Sequence, residues 1–206
     1  MNNNLFSKTR IPNIQSTLNE KFGEQGNALF TAAVQILSSE LNTVDDRGNK
    51  VIGKHIRRNI LPGYACYKAM LNAGVHNTQA IAFVEQEMCK SAQRMGNFCS
   101  KLSNKSYAYP LFQTLFSLGM KFGYPKEGWK VEQSEKNNER IRFNINSCLY
   151  CEELEKRGAL ELCPAFCQTD HTAYDPLSPA VVFKRETTIA KGGTCCDFCF
   201  ERGTIL

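Results

Sequence analysis

The run Trp129 to Ser147, "WKVEQSEKNNERIRFNINS", is where the sequence changes period. Ile141, Phe143 and Ile145 alternate with Arg142, Asn144 and Asn146, which is the period of two of a strand with one face buried. "WKVEQ" before it, with the turn-like "EKNNER" between, makes a β-hairpin. Downstream, "CLYCEELEKRG" and "CPAFCQTDHTAY" read as two short helices, the first ended by Gly158 and the second opened by Pro164. A second hairpin, "AVVFKRETTIA" and "TCCDFCFER" around "KGG", follows them. Strands are therefore expected near 128–133, 140–146, 180–189 and 195–202.

Upstream of Trp129 the period is helical through about residue 122. "NALFTAAVQILSSEL" places Leu29, Ala33, Ile36 and Leu37 on one stripe, widened by Phe30, Val34 and Leu41. "VIGKHIRRNILPGYACYKAMLNAG" reads as two helical pieces divided at Pro62 and stopped at Gly74. Asn77 is expected to cap the helix through "TQAIAFVEQEMCKSAQRM", and Pro110 to sit in the first turn of "PLFQTLFSLGMKF". The fold class expected is α+β: a helical N-terminal part (1–125) packed with a four-stranded antiparallel sheet carrying inserted helices (126–206), the two forming one continuous structural unit.

The 206 residues suffice for a substantial core without cross-links. The N-terminus "MNNNLFSKTRIPN" has no apolar signal core, and no run approaches the roughly 18 apolar residues of a membrane span, so a soluble cytoplasmic protein is expected. A net charge of +5, from 25 Lys and Arg against 20 Asp and Glu, is mild and spread out apart from "KHIRR" at Lys54 to Arg58. That excludes the dense basic stripe of a nucleic-acid binder and leaves a small anionic ligand as the expected partner. "KHIRR" itself reads as a solvated helix face. Self-association into a homo-oligomer is left open.

Ten cysteines in a reducing compartment point to metal ligands, reactive thiols or small buried residues rather than a disulfide framework. Seven of them, Cys148, Cys151, Cys163, Cys167, Cys195, Cys196 and Cys199, fall in the last stretch of chain. Cys148 and Cys151 share a helix face, as do Cys163 and Cys167 with Asp170 and His171. With Pro164 at the first helical position, Cys167 sits in the first turn, where free amides favour a thiolate. Alternation sends Cys196 to the face of Phe198 and Phe200, with Cys195, Asp197 and Cys199 opposite. Arg185, on the face of Val181, Phe183, Thr187 and Ile189, is a cation among apolar neighbours that needs a carboxylate or bound anion; Asp197 and Glu186 are the internal partners at hand. Cys66, Cys89 and Cys99 read as small hydrophobes and His171 as a surface or hydrogen-bonded histidine. Cys-x2-Cys, Cys-x3-Cys and Cys-Cys-x2-Cys suggest metal spacing without the paired pattern of a zinc ribbon.

The blocks "HIRRNILPGYACYKAML", "INSCLYCEEL", "ELCPAFCQTD" and "FKRETTIAKGGTCCDFCFER", in this order, resemble the L-2-amino-thiazoline-4-carboxylic acid hydrolase family. The family's recurring positions fall on Cys148, Cys167, Asp170, Arg185, Cys196 and Asp197, whereas Cys151, Cys163, Cys195 and Cys199 look like additions. The resemblance implies hydrolytic opening of a small cyclic amidine or thiazoline at a C–N or C–S bond. Cys167 is then the attacking thiolate, or Cys148, Cys167 and Cys196 hold zinc, the one cofactor expected, which activates water. Asp170 serves as acid and base in either scheme, and Arg185 binds the substrate carboxylate. The closing hairpin is also similar to the 4-vinyl reductase domain, which implies the alternative of a non-enzymatic sensor for a small ligand or metal.

Overall fold

A computed structural model describes residues 5–205. The first residues of the N-terminus read above as free of a signal core, 1–4, lie outside it. Helices α1 (Ile14–Phe22) and α2 (Gln25–Glu40) open the chain. On α2 the buried side chains include Leu29, Phe30, Ala33, Val34 and Leu37, the stripe that the helical period marks. Helix α3 (Lys50–His55) is capped by Asn49, whose Oδ1 accepts the Val51 N–H at 2.9 Å.

Pro62 does not divide the next segment. A π-helical turn at Ile56–Ile60 carries α3 without a break into α4 (Leu61–Asn72). The Leu61 N–H reaches back to the Ile56 carbonyl, and Pro62 falls in the first turn of α4. A proline at this place has no N–H for the carbonyl four residues before it, that of Arg58. That carbonyl instead accepts the backbone N–H of Arg10 at 2.9 Å, so the N-terminal segment supplies the missing donor.

Helices α5 (Asn77–Leu102) and α6 (Ala108–Gly123) complete the helical part. Asn77 is the first residue of α5 rather than its cap. The cap position belongs to His76, whose extended backbone turns the chain into the helix and whose Nδ1 lies 2.9 Å from Thr78 Oγ1. Among the described residues no helix is long and apolar enough to cross a membrane.

The sheet begins at Trp129, as the change of period predicts. Strands β1 (Trp129–Lys136), β2 (Arg140–Cys148), β3 (Val181–Lys184) and β4 (Cys196–Arg202) form one antiparallel sheet in the order β1-β2-β4-β3. Helices α7 (Leu149–Glu155) and α8 (Cys163–Tyr174) are inserted between β2 and β3, so the fold is α+β. Between the central strands Ile141 pairs with Phe200, Phe143 with Phe198 and Ile145 with Cys196. All six are buried, and this face joins the helices in one hydrophobic cluster running from Phe6 to Phe200. β1 is an edge strand that buries only Trp129 and shifts register at Lys130/Val131 and Gln133/Glu135, both of which discourage edge-to-edge pairing.

β3 stops at Lys184, short of the expected 189. Beyond it the Glu186 and Thr187 N–H groups turn to Asp197 Oδ1, at 3.0 and 2.6 Å, and the Thr187 hydroxyl donates to the same oxygen at 3.1 Å. A carboxylate on β4 has replaced a strand neighbour as acceptor, which releases Arg185 from the sheet.

The α5–α8 contact is close because Gly96 faces the backbone of Thr172. A Cβ at position 96 would stand 2.5 Å from the Thr172 carbonyl oxygen. Gly96→Ala is therefore expected to destabilise by about 1–3 kcal/mol from overpacking, against the gain of about 1 kcal/mol that alanine gives an open helix. A thermal melt decides the sign, and an unchanged or raised Tm would show that the helices are farther apart.

Candidate active site

The buried face of the sheet and the helices enclose a cavity of about 560 Å³. β2 and β4 contribute Phe143, Ile145, Cys196 and Phe198 to its floor. α8 contributes Cys167, Asp170 and Tyr174, spaced three and four apart and therefore on one helix face. Arg185 enters from the segment freed by Asp197. Aromatic rings dominate the wall, with Phe143 stacked on Phe198 at 4.9 Å and Trp129 edge-on to His55 at 4.9 Å.

Arg185 finds its partner on α8. Its Nη1 donates to Asp170 Oδ2 at 2.5 Å and its Nη2 to the Cys167 carbonyl at 3.0 Å, so neither Asp197 nor Glu186 is the partner. The side chain is only 5% exposed, and the guanidinium lies over Phe198 and Phe183, 5.2 and 5.7 Å from the ring centres. Asp170 keeps 26% of its side chain exposed. Burial raises its pKa above the ordinary carboxylate value, and the Arg185 cation offsets only part of that rise. The carboxyl therefore holds a proton more readily than a surface aspartate does.

Cys167 is half-buried beside this pair. α8 begins at Cys163, so Pro164 is its second residue and Cys167 its fifth, just past the first turn. Its thiol still titrates below the ordinary value, for a different reason: donation from the Cys163 thiol, helped by the Arg185 cation, outweighs burial. Cys167 and Arg185 also line a second pocket of about 380 Å³ with His171, Thr187 and Lys191. His171 is hydrogen-bonded, as expected, with Nδ1 3.3 Å from both Asp175 carboxylate oxygens.

Sequence reasoning missed the opposite wall. Within "KHIRR", Lys54, Arg57 and Arg58 are exposed, but His55 points into the cavity. Its Nδ1 lies 3.0 Å from the Tyr150 hydroxyl and its Nε2 3.0 Å from the Gly123 carbonyl. A carbonyl can only accept, so Nε2 carries the proton, Nδ1 accepts from Tyr150, and Tyr150 accepts from Asn59 Nδ2 at 2.7 Å. Burial lowers the His55 pKa and keeps the ring neutral, while burial raises those of Tyr124, Tyr150 and Tyr174. Tyr174 lies on α8 with Asp170, whereas His55, Tyr124 and Tyr150 are uncharged side chains of the facing wall. Their signal lay in the spacing of His55 and Asn59 around the π turn, a feature frequent at functional sites.

The three cysteines expected to hold zinc all line the cavity but do not form a ligand set. Among the described residues no group of three or more His, Cys, Asp or Glu side chains is arranged to hold a metal ion. The Cys148 and Cys167 thiols are influenced by those of Cys151 and Cys163, while the Cys196 sulfur accepts the Ile189 N–H at 3.4 Å. Cys196 does share the buried face with Phe198 and Phe200, with Asp197 and Cys199 half-buried on the other side. Cys66 and Cys99 are buried in the core and Cys89 is half-buried.

No curated protein and no solved structure matches this chain. The model of the family described as L-2-amino-thiazoline-4-carboxylic acid hydrolase matches residues 53–200. The likeness of the closing hairpin to the 4-vinyl reductase domain finds no support in that match. The matched span takes in the π turn, both inserted helices and nearly all of the sheet, and with them Cys167, Asp170 and Arg185: the chain belongs to the L-2-amino-thiazoline-4-carboxylic acid hydrolase family.

Proposed function

We propose that the cavity hydrolyses a small, anionic cyclic amidine such as a 2-aminothiazoline carboxylate, with Cys167 as nucleophile, Asp170 as acid and base, and Arg185 as the cation for the substrate carboxylate. The observation that carries this is the convergence of a thiol, a carboxyl of raised pKa and a buried guanidinium on one cavity wall. The family to which the chain belongs supports the reaction class.

In this reading the Cys167 thiolate adds to the ring carbon between the heteroatoms while the Asp170 carboxylic acid protonates the ring nitrogen. Loss of a ring heteroatom opens the ring and leaves that carbon bound to the sulfur. Water then attacks the same carbon, giving its proton to the Asp170 carboxylate, and the departing thiolate restores the enzyme. Arg185 couples binding to chemistry. A substrate carboxylate that shares the guanidinium weakens its hold on Asp170 and places a second anion beside it, and both effects drive a proton onto Asp170. Tyr150, whose proton goes to His55 Nδ1 and whose oxygen accepts from Asn59, adds no charge to the facing wall as the ring opens.

Asp170→Asn is expected to lower kcat on such a substrate by about 10²–10⁴-fold, with the rise in Tm caused by substrate largely kept, because a proton-transfer group acts in the transition state. Turnover at the wild-type rate would remove Asp170 from the mechanism. A cavity that only senses its ligand would show the rise in Tm with no turnover in either protein.

A thiolate nucleophile predicts a second result. The rate at which iodoacetamide alkylates Cys167, followed by peptide mapping across pH, should reach half its plateau below the ordinary thiol pKa of about 8.5. Arg185→Gln should move that midpoint upward, since the lost cation favoured the anion. A midpoint at the ordinary value in both proteins would leave Cys167 without activation.

A further inference from the structure

Four cysteines at the end of β2, on α7 and on α8 lie in a row. The Cys151 and Cys163 sulfurs stand 3.1 Å apart. Cys148 stands three residues before Cys151 and Cys167 four after Cys163, and the thiols of each pair are near enough to shift one another's titration. Cys148 and Cys167, at the two ends, line the cavity, whereas Cys151 and Cys163, in the middle, are 7% and 0% exposed. Cysteines used only as small core residues have no need of one another, as the dispersed Cys66, Cys89 and Cys99 show. The row is instead a continuous path of sulfur from the cavity into the core and back.

We propose that this row is a disulfide relay, in which a low-molecular-weight disulfide entering the cavity is reduced at Cys167 and the oxidation is passed inward and stored as a Cys151–Cys163 disulfide. The Cys167 thiolate attacks the small disulfide RSSR, forming Cys167–S–S–R and releasing RS⁻, which takes up a proton. The Cys163 thiol loses its proton and attacks the Cys167 sulfur, forming a Cys163–Cys167 disulfide and releasing the second RSH. Cys151 then attacks Cys163, forming Cys151–Cys163 and restoring the Cys167 thiolate. One RSSR becomes two RSH while two protein thiols become one disulfide, so electrons and protons balance.

Each step has a geometric basis. Cys163 is in contact with Cys151 and stands one helical turn before Cys167, whose thiol it influences, so it lies between the two sulfurs it must exchange with. The final bond needs the 3.1 Å pair to close by only about 1 Å. The neighbouring Cys148 and Cys163 sulfurs hold the Cys151 thiol below the ordinary value, which readies it for attack. A disulfide stored there leaves Cys167 free at the cavity wall. None of this rests on the hydrolytic reading.

The test uses the full chain, reduced, freed of reductant and treated with 2-hydroxyethyl disulfide, then alkylated in acid and analysed by mass. The wild type should lose two hydrogens, carry no adduct, and show a Cys151–Cys163 link with Cys167 alkylated. Cys163→Ser should retain the hydroxyethyl adduct on Cys167, and Cys151→Ser should stop at Cys163–Cys167, a link within a single tryptic peptide. Cys167→Ser should slow formation of the Cys151–Cys163 bond at least tenfold. An adduct that persists on wild-type Cys167 with Cys151 and Cys163 still alkylatable overturns the relay, as does Cys151–Cys163 formation at the wild-type rate in Cys167→Ser. Because the wild-type product and the half-exposed Cys167 variant decide these points, poor folding of a buried serine variant does not protect the proposal.

Discussion

A guanidinium that is 5% exposed needs a compensating anion and acceptors beside it, and the placement of Arg185 against Asp170 is the constraint around which the cavity is organised. Removing either partner would strand a buried charge, so α8 and the end of β3 must stay in register with each other. Asp197 makes this attainable, because by taking the Glu186 and Thr187 N–H groups it ends β3 early and lets Arg185 turn toward α8. The close approach of α8 to α5 at Gly96 then fixes how α8, which carries Asp170, seats against α5.

The two walls of the cavity differ in electrical character. One carries a cation ion-paired to a carboxyl and a thiol of lowered pKa; the other carries a neutral histidine and tyrosines held protonated by burial, with the Arg10 cation near them. In the proposed hydrolysis the groups that change protonation state are thereby separated from those that do not. A small anionic ligand with one polar edge and one apolar edge would be oriented by that difference before any chemistry began.

Much of the fold could be read from the sequence, because it rests on periodicity. The alternation of Ile141, Phe143 and Ile145, and of Cys196, Phe198 and Phe200, set both the strands and the faces they bury. Cys167, Asp170 and Arg185 were legible for a related reason: helical spacing put the first two on one face, and an arginine on an apolar strand face required a partner. What could not be read was anything decided by a contact distant in sequence. Pro62 looked like a break because the N–H that serves the Arg58 carbonyl comes from Arg10. His55 looked solvated because its neighbours Lys54, Arg57 and Arg58 are, and only the π turn aims it inward. Cys148, Cys167 and Cys196 share one cavity without forming a metal-holding group among the described residues, and the Cys196 sulfur accepts a backbone amide instead, a contact that spacing does not reveal.

The bond from Arg10 to Arg58 also separates two kinds of boundary. The region shared with the family begins at residue 53, within α3, whereas the carbonyl left open by Pro62 is closed by a residue 43 positions before that start. A fragment cut to the shared region would begin after the Asn49 cap and would leave the π turn with an unanswered acceptor at its centre. The segment that inheritance marks out is therefore smaller than the segment that closes its own hydrogen bonds. The difference falls on the turn that aims His55 and Asn59, so the ends of the matched region are poor places to cut this protein.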